Sequence, residues 1–148
     1  MYIGTKLVEA KLMNRGEYNL YRGWQLPEDE NPDDAGYLVT SENGHECWVP
    51  KEMFERDYHS TEEGITFGAA IELMKRGFRV ARKGWNGKNQ YIELASNISY
   101  VNAANEVVNS EHTAIGNKAI AFVGTSGVQM GWLASQADML AEDWNIVE

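Results

Sequence analysis

The stretch that decides the fold is Gly-Ile-Thr-Phe-Gly-Ala-Ala-Ile-Glu-Leu-Met-Lys-Arg-Gly-Phe-Arg-Val-Ala-Arg-Lys-Gly-Trp-Asn-Gly-Lys, residues 64–88. Its first half predicts a helix, because apolar residues recur at the i, i+3, i+4, i+7 spacing of one buried stripe. The stripe consists of Phe67, Ala70, Ile71 and Met74. Thr66 is a good N-cap, since its hydroxyl can accept a hydrogen bond from an amide of the first turn. Gly77 is a natural residue just beyond the helix end.

After Gly77 the pattern changes to the alternation typical of a strand, over residues 78–83. Gly84-Trp85-Asn86-Gly87 then predicts a tight turn that exposes a large ring and a side-chain amide. From Lys75 to Lys88 there are six basic residues and no acidic residue. Two interpretations are open. The cations and the ring can bind a flat anionic ligand, through its phosphates and a stacked base. Alternatively, the basic side chains only cover a solvated sheet edge.

Composition places the chain among soluble globular proteins. Of its 148 residues 43% are hydrophobic, and five Trp are present, which predicts a packed core. No apolar run approaches the roughly eighteen residues of a membrane span, and residues 1–6 lack a signal-peptide pattern. Cys47 is the single cysteine, so no internal disulfide can form. We therefore expect a cytosolic protein.

The formal net charge of −9 is unevenly distributed, with −8 in residues 1–63 and −1 in residues 64–148. This acidity argues against a DNA, RNA or membrane surface as partner, because each of them needs a basic stripe. A small anionic ligand needs only a local pocket. The charge step and the polar linker at 59–63 together predict two modules, residues 1–60 and 61–148.

The first module is predicted to be small, acidic and α+β. A strand and a short helix precede an acidic loop at 27–36, and Glu42-Asn43-Gly44 indicates a hairpin. Pro50 suits the start of a following helix.

The second module is predicted to be an antiparallel sheet with one main amphipathic helix, so the whole chain is α+β. The gaps between its strands are too short for repeated crossover helices. Ser135 and Asp138 are spaced as a capping box that begins a short helix. Asp138 is thus either a helix cap or a hydrogen-bond acceptor for a ligand. Trp144–Val147 is expected to return as the last strand.

The sequence contains no nucleophile, phosphate-loop or zinc motif, so we predict no catalytic residue, no metal site and no cofactor. His45 and Cys47 lie two positions apart without a second ligand pair. The acidic runs in the loop at 27–36 lack the ligand alternation of a calcium loop.

Two separated motifs resemble the Thoeris anti-defence type 2 family of bacteriophage proteins. Their residues here are Thr66-Phe67-Gly68, the segment Arg79–Gly87, and Trp132, Ser135, Gln136, Asp138, Ala141, Asp143 and Trp144. The resemblance spans residues 64–147. It departs at Ala69, where the family often has Glu. Residues 1–60 are an extension that the minimal family member lacks.

The resemblance implies a non-enzymatic sponge in the host cell cytoplasm. Such proteins sequester cyclic ADP-ribose-type signals (glycocyclic ADP-ribose) made by host TIR-domain proteins, and some relatives also bind cyclic oligonucleotides. They are homo-oligomers, commonly dimers of dimers, with pockets at subunit interfaces. The resemblance makes Phe67 and Trp85 candidate base-stacking groups and Arg82 and Lys83 candidate diphosphate partners. The candidate hydrogen-bonding groups are Asn86, Gln136 and Asp138, whereas Trp132 and Trp144 are assigned to the core.

Two rival functions are kept. The chain can instead be a phage structural or host-interaction protein that docks a basic partner through its acidic first module. It can also be a nucleotide hydrolase that uses the same pocket.

Overall fold

The computed structural model describes residues 1–85, 89–113 and 118–148. They form two units, Met1–His59 and Ser60–Glu148, each with its own hydrophobic core. The predicted α+β class is confirmed in both units. No helix in the described part of the chain has the length and apolar character needed to cross a membrane.

The first unit is a three-stranded antiparallel sheet with two helices. Its elements are β1 (Val8–Leu12), α1 (Arg15–Arg22), β2 (Gly36–Ser41), β3 (Glu46–Pro50) and α2 (Lys51–Asp57), and the strand order is β1-β2-β3. α1 begins at a capping box in which Asn14 and Glu17 each accept the other's backbone N–H. The predicted hairpin joins β2 to β3, and α2 begins directly after Pro50.

The two helices of this unit pack on opposite faces of the sheet. Cross-strand partners share a face of the sheet, and successive residues of a strand face opposite ways. Tyr37 pairs with Val49, so Trp48, the neighbour of Val49, lies on the other face. On the first face, the Trp48 indole N–H donates to the carbonyl of Met13 at 2.7 Å, and the Arg15 guanidinium lies over its ring. On the second face, Phe54 of α2 stacks on Tyr37 with 4.2 Å between ring centroids.

The second unit contains a five-stranded antiparallel sheet. Its elements are α3 (Phe67–Lys75), β4 (Arg79–Arg82), β5 (Tyr91–Ser96), β6 (Tyr100–Val101), β7 (Val107–Val108), β8 (Lys118–Gly124), β9 (Gly127–Met130), α4 (Gln136–Leu140) and β10 (Trp144–Val147). The strand order is β10-β4-β5-β8-β9, and β6 and β7 form a separate hairpin. The last strand of the chain therefore lies beside β4, the strand of the basic stretch.

Helix α3 forms as predicted, but its buried stripe differs. Thr66 accepts a hydrogen bond from the Ala69 N–H at 3.2 Å, and the chain turns away at Gly77, whose φ is 92°. Ala70 and Met74 are buried, as expected, together with Leu73, which the prediction left out. Phe67 and Ile71 are only half-buried, so that part of the prediction was wrong. The buried stripe is rotated relative to the prediction, which started it at Phe67. The packing of α3 on the sheet determines which side of the helix faces inward.

The core of the second unit lies between α3 and the sheet. Val80 of β4 pairs with Ile92 of β5, and both are fully buried. Trp144 of β10 is also fully buried and is the largest side chain of this core. The core therefore extends along α3 to the end of β4, where the predicted site residues begin.

Candidate functional site

Five aromatic rings meet at the end of β4. We call them the aromatic cluster: Phe67, Trp85, Phe122, Trp132 and Trp144. Trp144 is central, with ring centroids of Phe67 and Trp85 each 5.3 Å away and that of Trp132 6.2 Å away. Edge-to-face and tilted contacts of this kind are favourable beyond the area that they bury. Trp144 is confirmed as a core residue, whereas Trp132 is only half-buried.

The prediction of an exposed, loosely packed Trp85 was wrong. Its ring is half-buried and contacts Trp144 at 5.3 Å, Phe122 at 5.6 Å and Trp132 at 6.0 Å. The flanking glycines could not predict these contacts, because the three neighbouring rings lie more than thirty positions further along the chain. They are on β8, in the segment after β9 and on β10. The part of the ring that remains accessible is available for stacking.

Arg82 lies between two carboxylates. Its Nε donates to Asp143 Oδ1 at 3.0 Å, and its Nη1 donates to Asp138 Oδ1 at 3.0 Å. The hydrogen bonds from Arg82 to Asp143 and to Asp138 raise the pKa of the guanidinium above its ordinary value. Because β10 runs antiparallel to β4 with Trp144 opposite Arg82, Asp143 is placed beside this side chain. The guanidinium thus joins β4, α4 and the start of β10.

Asp138 combines two structural roles. Its Oδ2 accepts the Ser135 N–H at 3.0 Å while Ser135 Oγ accepts the Asp138 N–H at 3.1 Å, so the predicted capping box is confirmed. Burial alone would raise the pKa of Asp138, but the hydrogen bonds from Ser135 and Arg82 outweigh it, and the pKa lies below its ordinary value. The Asp138 carbonyl also accepts the indole N–H of Trp144 at 2.9 Å. A ligand contact by Asp138 stays a prediction.

The other predicted polar residues differ in exposure. Lys83 is exposed, and in the described ranges its ammonium has no ion pair. Its backbone N–H donates to the Asp143 carbonyl at 3.0 Å, which fixes the start of the turn. Gln136 is exposed as the first residue of α4. Asn86 lies outside the described residues.

The structure thus connects four of the predicted site residues through one set of contacts. Phe67 and Trp85 contact Trp144, the indole of Trp144 binds the Asp138 carbonyl, and Asp138 pairs with Arg82. Sequence reasoning left Asp143 and Phe122 out of the site. Asp143 directly precedes the last strand, and a pairing of that strand with β4 would have indicated it; no local pattern indicates Phe122.

Among the described residues, this edge of the sheet offers aromatic rings, the exposed ammonium of Lys83 and the partly neutralised guanidinium of Arg82. In the described part of the chain, no three His, Cys, Asp or Glu side chains gather as metal ligands would. Aromatic rings and cations of this kind suit a flat, anionic molecule, because a base stacks on an aromatic face and the N–H groups of cations donate to phosphate oxygens.

Comparison with known proteins identifies the second unit. The family model of the Tad2-like, Thoeris anti-defense 2-like, domain matches residues 65–147, a range that contains the whole aromatic cluster. Thoeris anti-defense 2 of Bacillus phage SP01 is 39% identical over 88 residues, which cover 56% of this chain and 94% of the relative. The family-model match lies in the part of the chain that carries the site. On the strength of these matches and of the resemblance of its motifs, the chain belongs to the Thoeris anti-defense 2-like family.

Proposed function

We propose that this chain is a bacteriophage anti-defence protein that captures cyclic ADP-ribose-type signals of the Thoeris system and does not cleave them. It acts in the host cell cytoplasm, where sequestration deprives the downstream effector of its signal. The observation that carries the proposal is the position of Trp85 and Lys83 at the end of β4, inside the segment matched by the anti-defence family.

The ligand class follows from the groups at this edge. An ADP-ribose-type signal carries an adenine, a diphosphate and ribose hydroxyls. Base stacking on an aromatic ring is worth about 1–3 kcal/mol. We assign it to Trp85 and to Phe67, which both contact the ring of Trp144. We assign the diphosphate first to Lys83, because its ammonium is exposed and has no ion pair among the described residues.

Arg82 and Asp138 are assigned secondary contacts. Arg82 donates the Nε N–H to Asp143 and one Nη1 N–H to Asp138. Its Nη2 makes a longer contact of 3.5 Å with Asp143. A guanidinium has five N–H groups, so donors remain for a phosphate oxygen. Asp138 can accept a ribose hydroxyl, and Gln136 and Asn86 complete the predicted hydrogen-bonding set.

A homo-oligomer, built as a dimer of dimers, is part of the proposal. Large apolar side chains are exposed next to the site, with Leu133 90% and Leu140 75% exposed. Leu133 follows Trp132 of the aromatic cluster, and Leu140 ends α4, which also carries Gln136 and Asp138. Large apolar side chains exposed beside a ligand site favour a protein–protein contact there. A second copy that covers them would close the ligand pocket at the subunit interface.

A binding and release experiment tests the function. The protein is titrated with glycocyclic ADP-ribose in a calorimeter, and the complex is then heat-denatured and the ligand examined by mass spectrometry. We expect stoichiometric binding and recovery of the intact cyclic molecule. Recovery of a linear or hydrolysed product would establish a hydrolase instead. Lys118→Met is the control for a general loss of positive charge. It removes a cation from β8 rather than from the end of β4, so it should bind the nucleotide as the unaltered chain does.

The runner-up function has one supporting observation, the charge of −8 in residues 1–63. Such a surface attracts a basic host or virion protein through long-range electrostatics. The two functions separate in the same calorimeter, since a sponge binds nucleotide without any partner protein. A cyclic dinucleotide titrated in parallel tests whether the signals of a second defence system are also captured.

A further inference from the structure

The first unit, which lies outside the family match, has an apolar groove on its sheet. The groove has a volume of about 490 Å³. Val39 and Cys47, paired across β2 and β3, form its floor, and Lys6 and Leu7 line it just before β1. Tyr58, just after α2, also lines it.

This groove is the part of one sheet face that the unit's own helices leave open. α1 contacts the opposite face through Trp48. α2 covers the groove's face only at its other end, where Phe54 stacks on Tyr37. Val39 at the bottom of the groove is buried, whereas Cys47 and Val49 beside it are half-buried, so an occupant would contact these two side chains.

The same unit carries an apolar segment that is exposed along its length. We call residues 1–5 the N-terminal arm; they contain no charged side chain. Met1, Tyr2 and Ile3 are exposed by 121%, 105% and 98%. Isolated apolar side chains are common on surfaces, but three consecutive, fully exposed ones indicate a contact site. The arm joins the sheet at Lys6 and Leu7, which are themselves groove-lining residues.

We infer that the groove binds the N-terminal arm of a second copy of this chain, and that the two copies exchange arms reciprocally. β1 is an edge strand, so the chain just before it is free to lie beside the same segment of another copy in antiparallel orientation. From such a two-fold contact each arm crosses the partner's edge strand onto the groove face, because residues 6 and 7, where each arm leaves its own sheet, line the groove. Five extended residues span roughly 17 Å, enough to follow such a groove.

The exchange also suits the charge of this unit. Residues 1–59 carry six basic and twelve acidic side chains, a net charge of −6, so a face-to-face contact between two such surfaces would be repulsive. The arm is uncharged in its side chains, and Glu42 is the one carboxylate among the residues that line the groove. An arm contact therefore associates two acidic units without pressing their carboxylates together.

Cross-linking of the full chain tests the exchange. Cys47 is the single cysteine and lines the groove. A tagged chain with Tyr2→Cys and Cys47→Ser, and a second one with Ile3→Cys and Cys47→Ser, are each mixed with the untagged, unaltered chain and gently oxidised. Alternate side chains of an extended arm face opposite ways, so at least one of the two positions faces the groove.

We expect a disulfide between the tagged and the untagged chain from one or both arm positions, mapped by mass spectrometry to residue 47. Glu9→Cys with Cys47→Ser is the matched control. Glu9 is exposed but pairs with Thr40 on the opposite face of the sheet, and we expect at least tenfold less cross-linked product from it.

Two results would overturn the inference. One is that neither arm position cross-links above the Glu9 control. The other is that Tyr2→Cys or Ile3→Cys, made with Cys47 retained, gives only an intramolecular disulfide, which would mean that the arm enters its own groove. Neither result depends on nucleotide binding by the second unit.

Discussion

Trp85 is the residue on which site and core overlap, and its two roles are separated by measuring affinity and stability on the same variants. Trp85→Ala removes the stacking face and three ring contacts. We expect it to cost about 1–3 kcal/mol of binding, a five- to 150-fold loss of affinity. It should also cost up to about 3 kcal/mol of stability, less than a fully buried Trp. Trp85→Phe should restore most of both quantities.

Melting temperature and calorimetric affinity, measured on the same samples, check this prediction. Phe122→Leu is the control, because Phe122 contacts Trp85 but has no predicted ligand contact. It should lower the melting temperature and leave the affinity within about threefold. An unchanged affinity in folded Trp85→Ala would remove the ring from the site.

The two adjacent cations should respond differently to neutralisation. Lys83 is exposed without an ion pair in the described ranges, whereas Arg82 holds Asp138 and Asp143. We expect Lys83→Met to keep the melting temperature and to weaken nucleotide binding at least about tenfold, the scale of a charge-assisted hydrogen bond. Its affinity should also depend less on salt. Arg82→Met should lower the melting temperature, because it leaves two neighbouring carboxylates without their cation.

Thermal unfolding and titrations at low and high salt measure both effects. A destabilised Lys83→Met protein, or an Arg82→Met protein with normal stability, would reverse these assignments.

Asp138 should make stability depend on pH in acid. Its folded pKa is lowered, so its contribution is present above the unfolded pKa of about 3.9 and is lost as pH falls through the folded pKa. Asp138→Asn should therefore cost about 1–3 kcal/mol near neutral pH, and the difference should shrink below about pH 4. Denaturant unfolding between pH 7 and pH 2 measures it. Asp57→Asn is the control, since its partner Arg56 is exposed and the pair should contribute little. A difference that does not change with pH would contradict the assignment.

At the scale of single elements, β2 depends on a close approach that only glycine permits. A Cβ at Gly36 would overlap the ring of Trp48, whose indole N–H is held by the Met13 carbonyl. We expect Gly36→Ala to cost about 1–3 kcal/mol in the first unit, the usual cost of overpacking. Gly4→Ala is the control, because nothing lies within 4 Å of the added carbon. Calorimetric unfolding of both variants tests this, and equal melting curves would show that the ring can move aside.

Local signals account for most of the elements that sequence reasoning predicted. Thr66 and the pair Ser135 and Asp138 determine where α3 and α4 begin, through hydrogen bonds to residues three positions away. The alternation after Gly77 and the turn at Glu42-Asn43-Gly44 likewise depend on neighbours in sequence. Such features are readable because their partners are close along the chain.

The site was predictable only in part, because its contacts are distant along the chain. Arg82 is neutralised by residues 56 and 61 positions away, and the rings around Trp85 come from three separate segments. No local pattern contains that information. The family motifs indicated which residues belong together, but not that Trp85 would be packed or that Arg82 would be ion-paired.

At the scale of the whole molecule, the question is whether the second unit carries the function alone. Residues 60–148 form a unit with its own core, and the family match begins at residue 65. The linker is tied to this unit at Thr61, whose carbonyl accepts the Ile146 N–H at 3.0 Å. A fragment that starts at residue 61 keeps this hydrogen bond. The predicted boundary between residues 60 and 61 is therefore a suitable point at which to divide the chain.

We expect the fragment 61–148 to fold, to self-associate and to bind glycocyclic ADP-ribose within about threefold of the affinity of the full chain. The reason is that the aromatic cluster, Lys83 and the exposed Leu133 and Leu140 all lie in this unit. Light scattering at micromolar concentration and calorimetry measure assembly and affinity on the same sample. The fragment with Trp85→Ala is the control for non-specific binding. A folded fragment that is monomeric and has lost affinity would mean that residues 1–60 complete the site. A monomeric fragment with full affinity would instead remove the subunit interface from the pocket and leave the ligand assignment intact.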